Sequence, residues 1–130
     1  MGIRVVWDNS EQTIVRFDFE AKWNFLDFDY VIHECISMMR KVSHRVDVLI
    51  NIGESGPLAV GAVLETRDLR ETLPSNFGVM VFAGNPVYGS AIASVLTRVY
   101  PALSDEFVFA DDLAQARAAV ARAAEGLGAP

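Results

Sequence analysis

The chain has 130 residues, 52% of them hydrophobic, and a formal net charge of −6. That length suits one domain with its own core, so a single domain over 1–130 is expected, ordered from about Ile3 to Glu125. The acidic balance and the scatter of Lys and Arg exclude a nucleic-acid surface, which needs clustered cations against phosphates, and leave a protein as the expected partner.

Ile3 to Trp7 and Thr13 to Phe19 are β-branched and aromatic runs separated by Asp8-Asn9-Ser10-Glu11-Gln12, a turn composition. They predict a β-hairpin. In the second run Ile14, Arg16, Asp18 and Glu20 share one parity and Val15, Phe17 and Phe19 the other, so one face belongs to a core and the other is wetter. From Asn24 the period changes. Phe25, Phe28, Ile32, Cys35 and Met39 recur at steps of three and four, which predicts a helix from Phe25 to Lys41. Asn24 is placed to cap it, Asp27 and Asp29 sit in its first turns, and Arg40 and Lys41 close it, as the macrodipole favours. Leu26, Tyr30 and Met38 lie off the apolar stripe and suggest a second covered surface, with a homodimer as the candidate cover.

Arg45 to Ile52 is nearly continuous in apolar residues, the pattern of an interior parallel strand covered on both faces. A turn at Gly53 to Pro57 breaks it, and a helix over Ala59 to Leu73 is expected before Pro74. Phe77 to Ala83 is a second continuous strand. Gly84-Asn85-Pro86 then sets up a helix to about Tyr100, with Asn85 as cap and Pro86 at the first helical position. Glu106 to Ala110 is a short last strand. Asp111 or Asp112 caps an alanine-rich helix to about Glu125, and Gly126 to Pro130 is expected to fray. The order ββαβαβαβα describes an α/β fold: a five-stranded mixed sheet, an N-terminal hairpin then three further βα units, the last four strands parallel and joined by right-handed crossovers, with four helices.

An opening hairpin followed by βα units, with a Ser-Gly turn after the central strand, resembles the STAS-like fold of anti-sigma-factor antagonists and sulfate-transporter C-terminal domains. The run from Val5-Val6-Trp7-Asp8 through Phe17-Asp18-Phe19-Glu20, Trp23, Phe28-Asp29 and His44-Arg45-Val46-Asp47-Val48 to Tyr100-Pro101 and Phe109-Ala110-Asp111 is similar to small stand-alone bacterial members of unassigned function. The resemblance implies the fold over nearly the whole chain and a regulatory, protein-binding role. In the antagonist branch a serine in an Asp-Ser-Ser-Gly-type motif is phosphorylated. Here Gly53-Glu54-Ser55-Gly56-Pro57-Leu58-Ala59 occupies that region, so Ser55 is the phosphorylation candidate the resemblance offers. No aspartate precedes it, and a shifted register would fall near Ala59, which has no hydroxyl.

Candidate chemistry concentrates where the parallel strands end, since loops leaving carboxyl ends form the usual binding surface of such sheets. Glu54, Ser55 and Gly56 in one turn and Asn85 and Tyr88 in the next are the candidate binding patch. Neither turn has the spacing of a dinucleotide or phosphate loop, so no cofactor is expected. Trp23 and Phe25, at the turn before the first helix, either close the core or offer an anchor. A pocket under that helix lined by Trp23, Phe25, Phe28 and Tyr30 would make the chain a binder of small apolar ligands or lipids, the alternative to an interaction module. Cys35 lies on the apolar stripe and reads as a small buried hydrophobe, with His33 about 200° away around the helix and poorly placed as its base. His33 and His44 form no metal-binding pair, and no metal is expected. A catalyst built on Cys35 or Glu54 is the third reading; none of these residues sits in a catalytic motif. A lone cysteine allows no internal disulfide and points to a reducing compartment, the cytoplasm. No apolar run approaches the roughly 18 residues of a membrane span, and the first residues turn polar too soon for a signal peptide.

Overall fold

The computed structural model describes residues 2–20, 22–23, 25–53, 74–85, 87, 89–90, 93–94 and 107–128. Strands β1 (Ile3–Trp7), β2 (Ile14–Phe19), β3 (Val46–Asn51), β4 (Phe77–Ala83) and β5 (Phe107–Ala110) form one sheet in the order β1-β2-β3-β4-β5. β1 and β2 pair antiparallel, and β2 to β5 run parallel to one another, as the element order predicts. Asn9 organises the hairpin turn: its Oδ1 accepts from Thr13 N at 3.0 Å and its Nδ2 donates to Thr13 Oγ1 at 2.7 Å.

Two helices are complete among the described residues, α1 (Phe25–Arg40) and α2 (Leu113–Gly128). The expected count of four is not supported. The helix expected over 59–73 lies outside the described residues, and of the one expected over 86–100 only Val87, Gly89, Ser90, Ala93 and Ser94 are described, all helical. α2 is capped by Asp112, whose Oδ1 accepts from Gln115 N at 2.8 Å. Its helical residues run through Gly126 to Gly128.

Alternation along the strands sorts the sheet into two layers. On one face Val15, Phe17, Phe19, Val48, Ile50 and Phe82 meet Phe28, Val31, Ile32, Cys35, Ile36 and Met39 of α1. The predicted stripe of α1 is there, widened by Val31 and Ile36. On the other face Leu49, Val79, Val81 and Ala83 meet Ala116, Ala119 and Val120 of α2. β3 is thus covered on both sides. The α2 layer is thin, since alanines bury little area, so its polar ties to the sheet carry more weight.

One of those ties begins at Asp47, a carboxylate 3% exposed in the middle of β3. Between Val46 and Val48 the register with β4 shifts, leaving Gly78 and Val79 opposite Asp47. Asp47 Oδ1 accepts from Val79 N at 2.9 Å, which satisfies the amide that the irregular ladder leaves over. The same oxygen accepts from Arg45 Nε at 2.9 Å and stands at ion-pair distance, 2.7 Å, from Nη2. Arg45 Nη1 reaches Ala123 O near the end of α2 at 3.4 Å. A Cβ at position 78 would collide with Asp47 Oδ1 and Arg45 Nε, so the pair requires glycine there. Nearby, Asn76 Nδ2 is shared among Met39 O, Val42 O and His44 O, closing the carbonyl end of α1.

Candidate functional site at the carboxyl edge of the sheet

The segments that leave β3 and β4 start side by side. Ile52 N donates to Ala83 O at 2.9 Å and Gly84 N to Ala110 O at 3.1 Å, which laces the strand ends together. Gly84 has φ +126°, a conformation that side chains rarely adopt, and a Cβ there would stand 3.1 Å from both Gly53 N and Ile52 Cγ1. The backbone of one turn therefore packs directly on the backbone of the other. Asn85 caps as predicted: its Oδ1 accepts from Val87 N at 2.9 Å and its O from Gly89 N at 3.0 Å.

A chain of polar contacts reaches this edge from α2. Arg117 donates to both oxygens of Asp8, at 2.9 and 2.8 Å, and Arg16 Nη1 adds a contact at 2.7 Å to an Asp8 side chain 4% exposed. Arg16 Nε then holds Asp18 at 3.0 Å, and Asn51 Nδ2 donates to the same Asp18 oxygen at 3.0 Å. Asn51 Oδ1 in turn accepts from Gly53 N at 3.4 Å, the first residue of the turn after β3. The hydrogen bond from Arg117 holds the Asp8 carboxyl below its ordinary pKa, with Arg16 assisting and burial opposing. That stabilisation is complete above the ordinary carboxylate range and is lost as pH falls through the lowered value. Asp8→Asn is expected to cost about 1–2 kcal/mol at pH 7 and to flatten the acid limb of stability below about pH 4, read by urea unfolding across pH.

Of the sequence-predicted site residues, Asn85 stands exposed at this edge. Glu54, Ser55, Gly56 and Tyr88 lie outside the described residues, as does the side chain of Phe25. Trp23 is core, 7% exposed, edge-on to Phe19 at 5.0 Å between ring centres and tilted against Phe28 at 5.9 Å. Phe28 is fully buried in the same cluster and Tyr30 is exposed, so of the four rings expected to line a pocket under α1, two are packed against each other and one faces outward.

Cys35 is a free, buried thiol with its Sγ 3.9 Å from Met39 Sδ, and burial pushes its pKa up to about 12. His44 Nε2 lies 2.8 Å from Gln12 O, at the hairpin. Iodoacetamide at pH 8 is therefore expected to label Cys35 only after denaturation. Above about pH 9 the unfolded thiol releases a proton that the folded one keeps, so stability falls by about 1.4 kcal/mol per pH unit, a limb absent in Cys35→Ala.

Sequence reasoning missed Asp47, Arg45 and Gly78, and the ties among Asp8, Arg16 and Arg117. The signal for the first was a lone carboxylate inside a continuous apolar run with an arginine two residues before it, on the same strand face. Among the described residues no group of three or more His, Cys, Asp or Glu could hold a metal ion, and no helix is long and apolar enough to cross a membrane. Set against known proteins, the chain matches no family model, no curated protein and no solved structure.

Proposed function

We propose that the chain is a non-enzymatic, STAS-like regulatory module of the cytoplasm that acts by binding another protein at the carboxyl edge of its sheet. The observation that carries this reading is the contact of Gly84 with Gly53, which starts the segments leaving β3 and β4 from adjacent points. The hairpin, followed by parallel strands with β3 at the centre, supports the STAS-like part. The link from Arg117 through Asp8, Arg16, Asp18 and Asn51 to Gly53 supports a firm base for that surface, since each charge in it has an opposite neighbour. Ser55, two residues beyond Gly53, is the position where phosphorylation would alter it.

Native mass spectrometry of protein purified under mild conditions separates this from the apolar-ligand reading. Masses that are whole multiples of the chain are expected, and a retained adduct of a few hundred daltons would overturn it. Turnover of any substrate by the purified chain would overturn its non-enzymatic part.

A further inference from the structure

β1 is an edge strand, pairing among the described residues only with β2. Glu20 N donates to Gly2 O and Asp8 N donates to Ile14 O, each at 2.8 Å. In an antiparallel pair such positions alternate, so Gly2, Arg4, Val6 and Asp8 turn their backbone groups toward β2, and Ile3, Val5 and Trp7 turn theirs outward. Among the described residues no other strand covers this edge. The strand has no proline, no lysine and no bulge, and all five of its residues pair in unbroken register.

Beside the outward row lies an open groove of about 490 Å³ between β1 and α1, lined by Arg4, Val5, Glu20, Tyr30, Val31 and Glu34. Tyr30 is 53% exposed, and Leu26, one turn earlier on the same side of α1, is 65% exposed. The occupant must satisfy a row of backbone donors and acceptors, which only an extended strand does.

We propose that this strand is β1 of a second copy, paired antiparallel about a two-fold axis through Val5. The strand's own sequence, Ile-Arg-Val-Val-Trp, selects both the occupant and the register. Centred on Val5, the pairing opposes Val5 with Val5 and Ile3 with Trp7, so all the outward N–H and C=O groups meet and the apolar side chains pair across the junction. Arg4 then faces Val6. Centred one residue earlier, Arg4 would face Arg4, and like charges directly opposite are destabilising.

The flanking helices fit the same symmetry. α1 joins the parallel strands β2 and β3, so it runs against β2 and along β1, and Glu34 lies toward the Trp7 end from Tyr30. The two-fold axis carries that end onto the Ile3 end of the other copy. With the axis perpendicular to the sheet, both α1 helices lie on one face and the exposed Leu26 and Tyr30 of each flank the junction. None of this depends on the carboxyl-edge reading, and its failure leaves that reading untouched.

Sedimentation velocity and amide hydrogen exchange on the intact chain test it. At about 100 µM the chain is expected to sediment as a dimer in which the Ile3, Val5 and Trp7 amides are protected. Leu26→Lys combined with Tyr30→Lys, at exposed positions that leave the core alone, is expected to weaken the dimer at least about tenfold and to expose those three amides. Val5→Pro removes the central outward N–H without touching the ladder to β2 and is expected to do the same. If that variant does not fold, the lysine pair and the exchange of the unaltered chain still decide. A monomer at about 100 µM overturns the proposal, as does a dimer whose three amides exchange freely or one that the lysine pair leaves intact.

Discussion

Asp47→Ala is expected to destabilise the fold by about 3 kcal/mol, although the side chain removed is small and charged. The variant leaves Val79 N–H without an acceptor at the irregular part of the β3–β4 ladder, in a buried place where water does not replace the carboxylate. It also strips Arg45 of its anion. Arg45→Ala leaves Asp47 in place as the acceptor of Val79 N–H, so it is expected to cost less. A double-mutant cycle read by urea unfolding should therefore show a large single effect at 47, a smaller one at 45, and clear coupling between them. Equal and additive effects would mean that Asp47 is not the partner on which the β3–β4 ladder depends.

Phe28→Ala is expected to cost about 3–5 kcal/mol and to lower Tm by roughly 10–20 °C. Phe28 is fully buried, with Phe19 at 6.2 Å and Trp23 at 5.9 Å between ring centres, and it is the point where α1 seats on β2. Its removal opens a cavity that neither ring can fill without leaving the other. Phe28→Leu, which keeps most of the volume, should cost about 1–2 kcal/mol. If alanine proves as mild as leucine, the cluster beneath α1 is not close-packed, and the apolar-ligand reading gains what the core reading loses.

These two residues also show what the chain discloses before it is folded. Phe28 was legible because a buried helix face repeats every three to four residues, and the repeat through Ile32, Cys35 and Met39 leaves no other placement for it. The strands were legible for a similar reason: Val46 to Ile50 and Phe77 to Ala83 are apolar at both parities, which only a sheet interior requires. The sequential order of strands was not, because apolar runs carry no mark of which neighbour they choose. Asp8 and Arg117 meet across more than one hundred positions of sequence, and no local pattern announces such a pair.

The site was legible in place more than in detail. Asn85 caps because asparagine before proline at the end of a strand has a short-range job, and short-range jobs can be read from neighbours. Trp23 could be weighed as core or anchor but not decided, since aromatic area serves both, and only its contact with Phe19 and Phe28 settles it as core. The close approach of Gly84 to Gly53 depends on two strands lying side by side, which the sequence of neither reveals.

The most direct test of the interaction reading is a photo-crosslinking residue at position 85, activated in the native cell beside the same residue at position 122 on the exposed side of α2. The account predicts a discrete protein adduct from position 85 that is absent from position 122. No protein adduct at 85, or the same adducts from both positions, would contradict it.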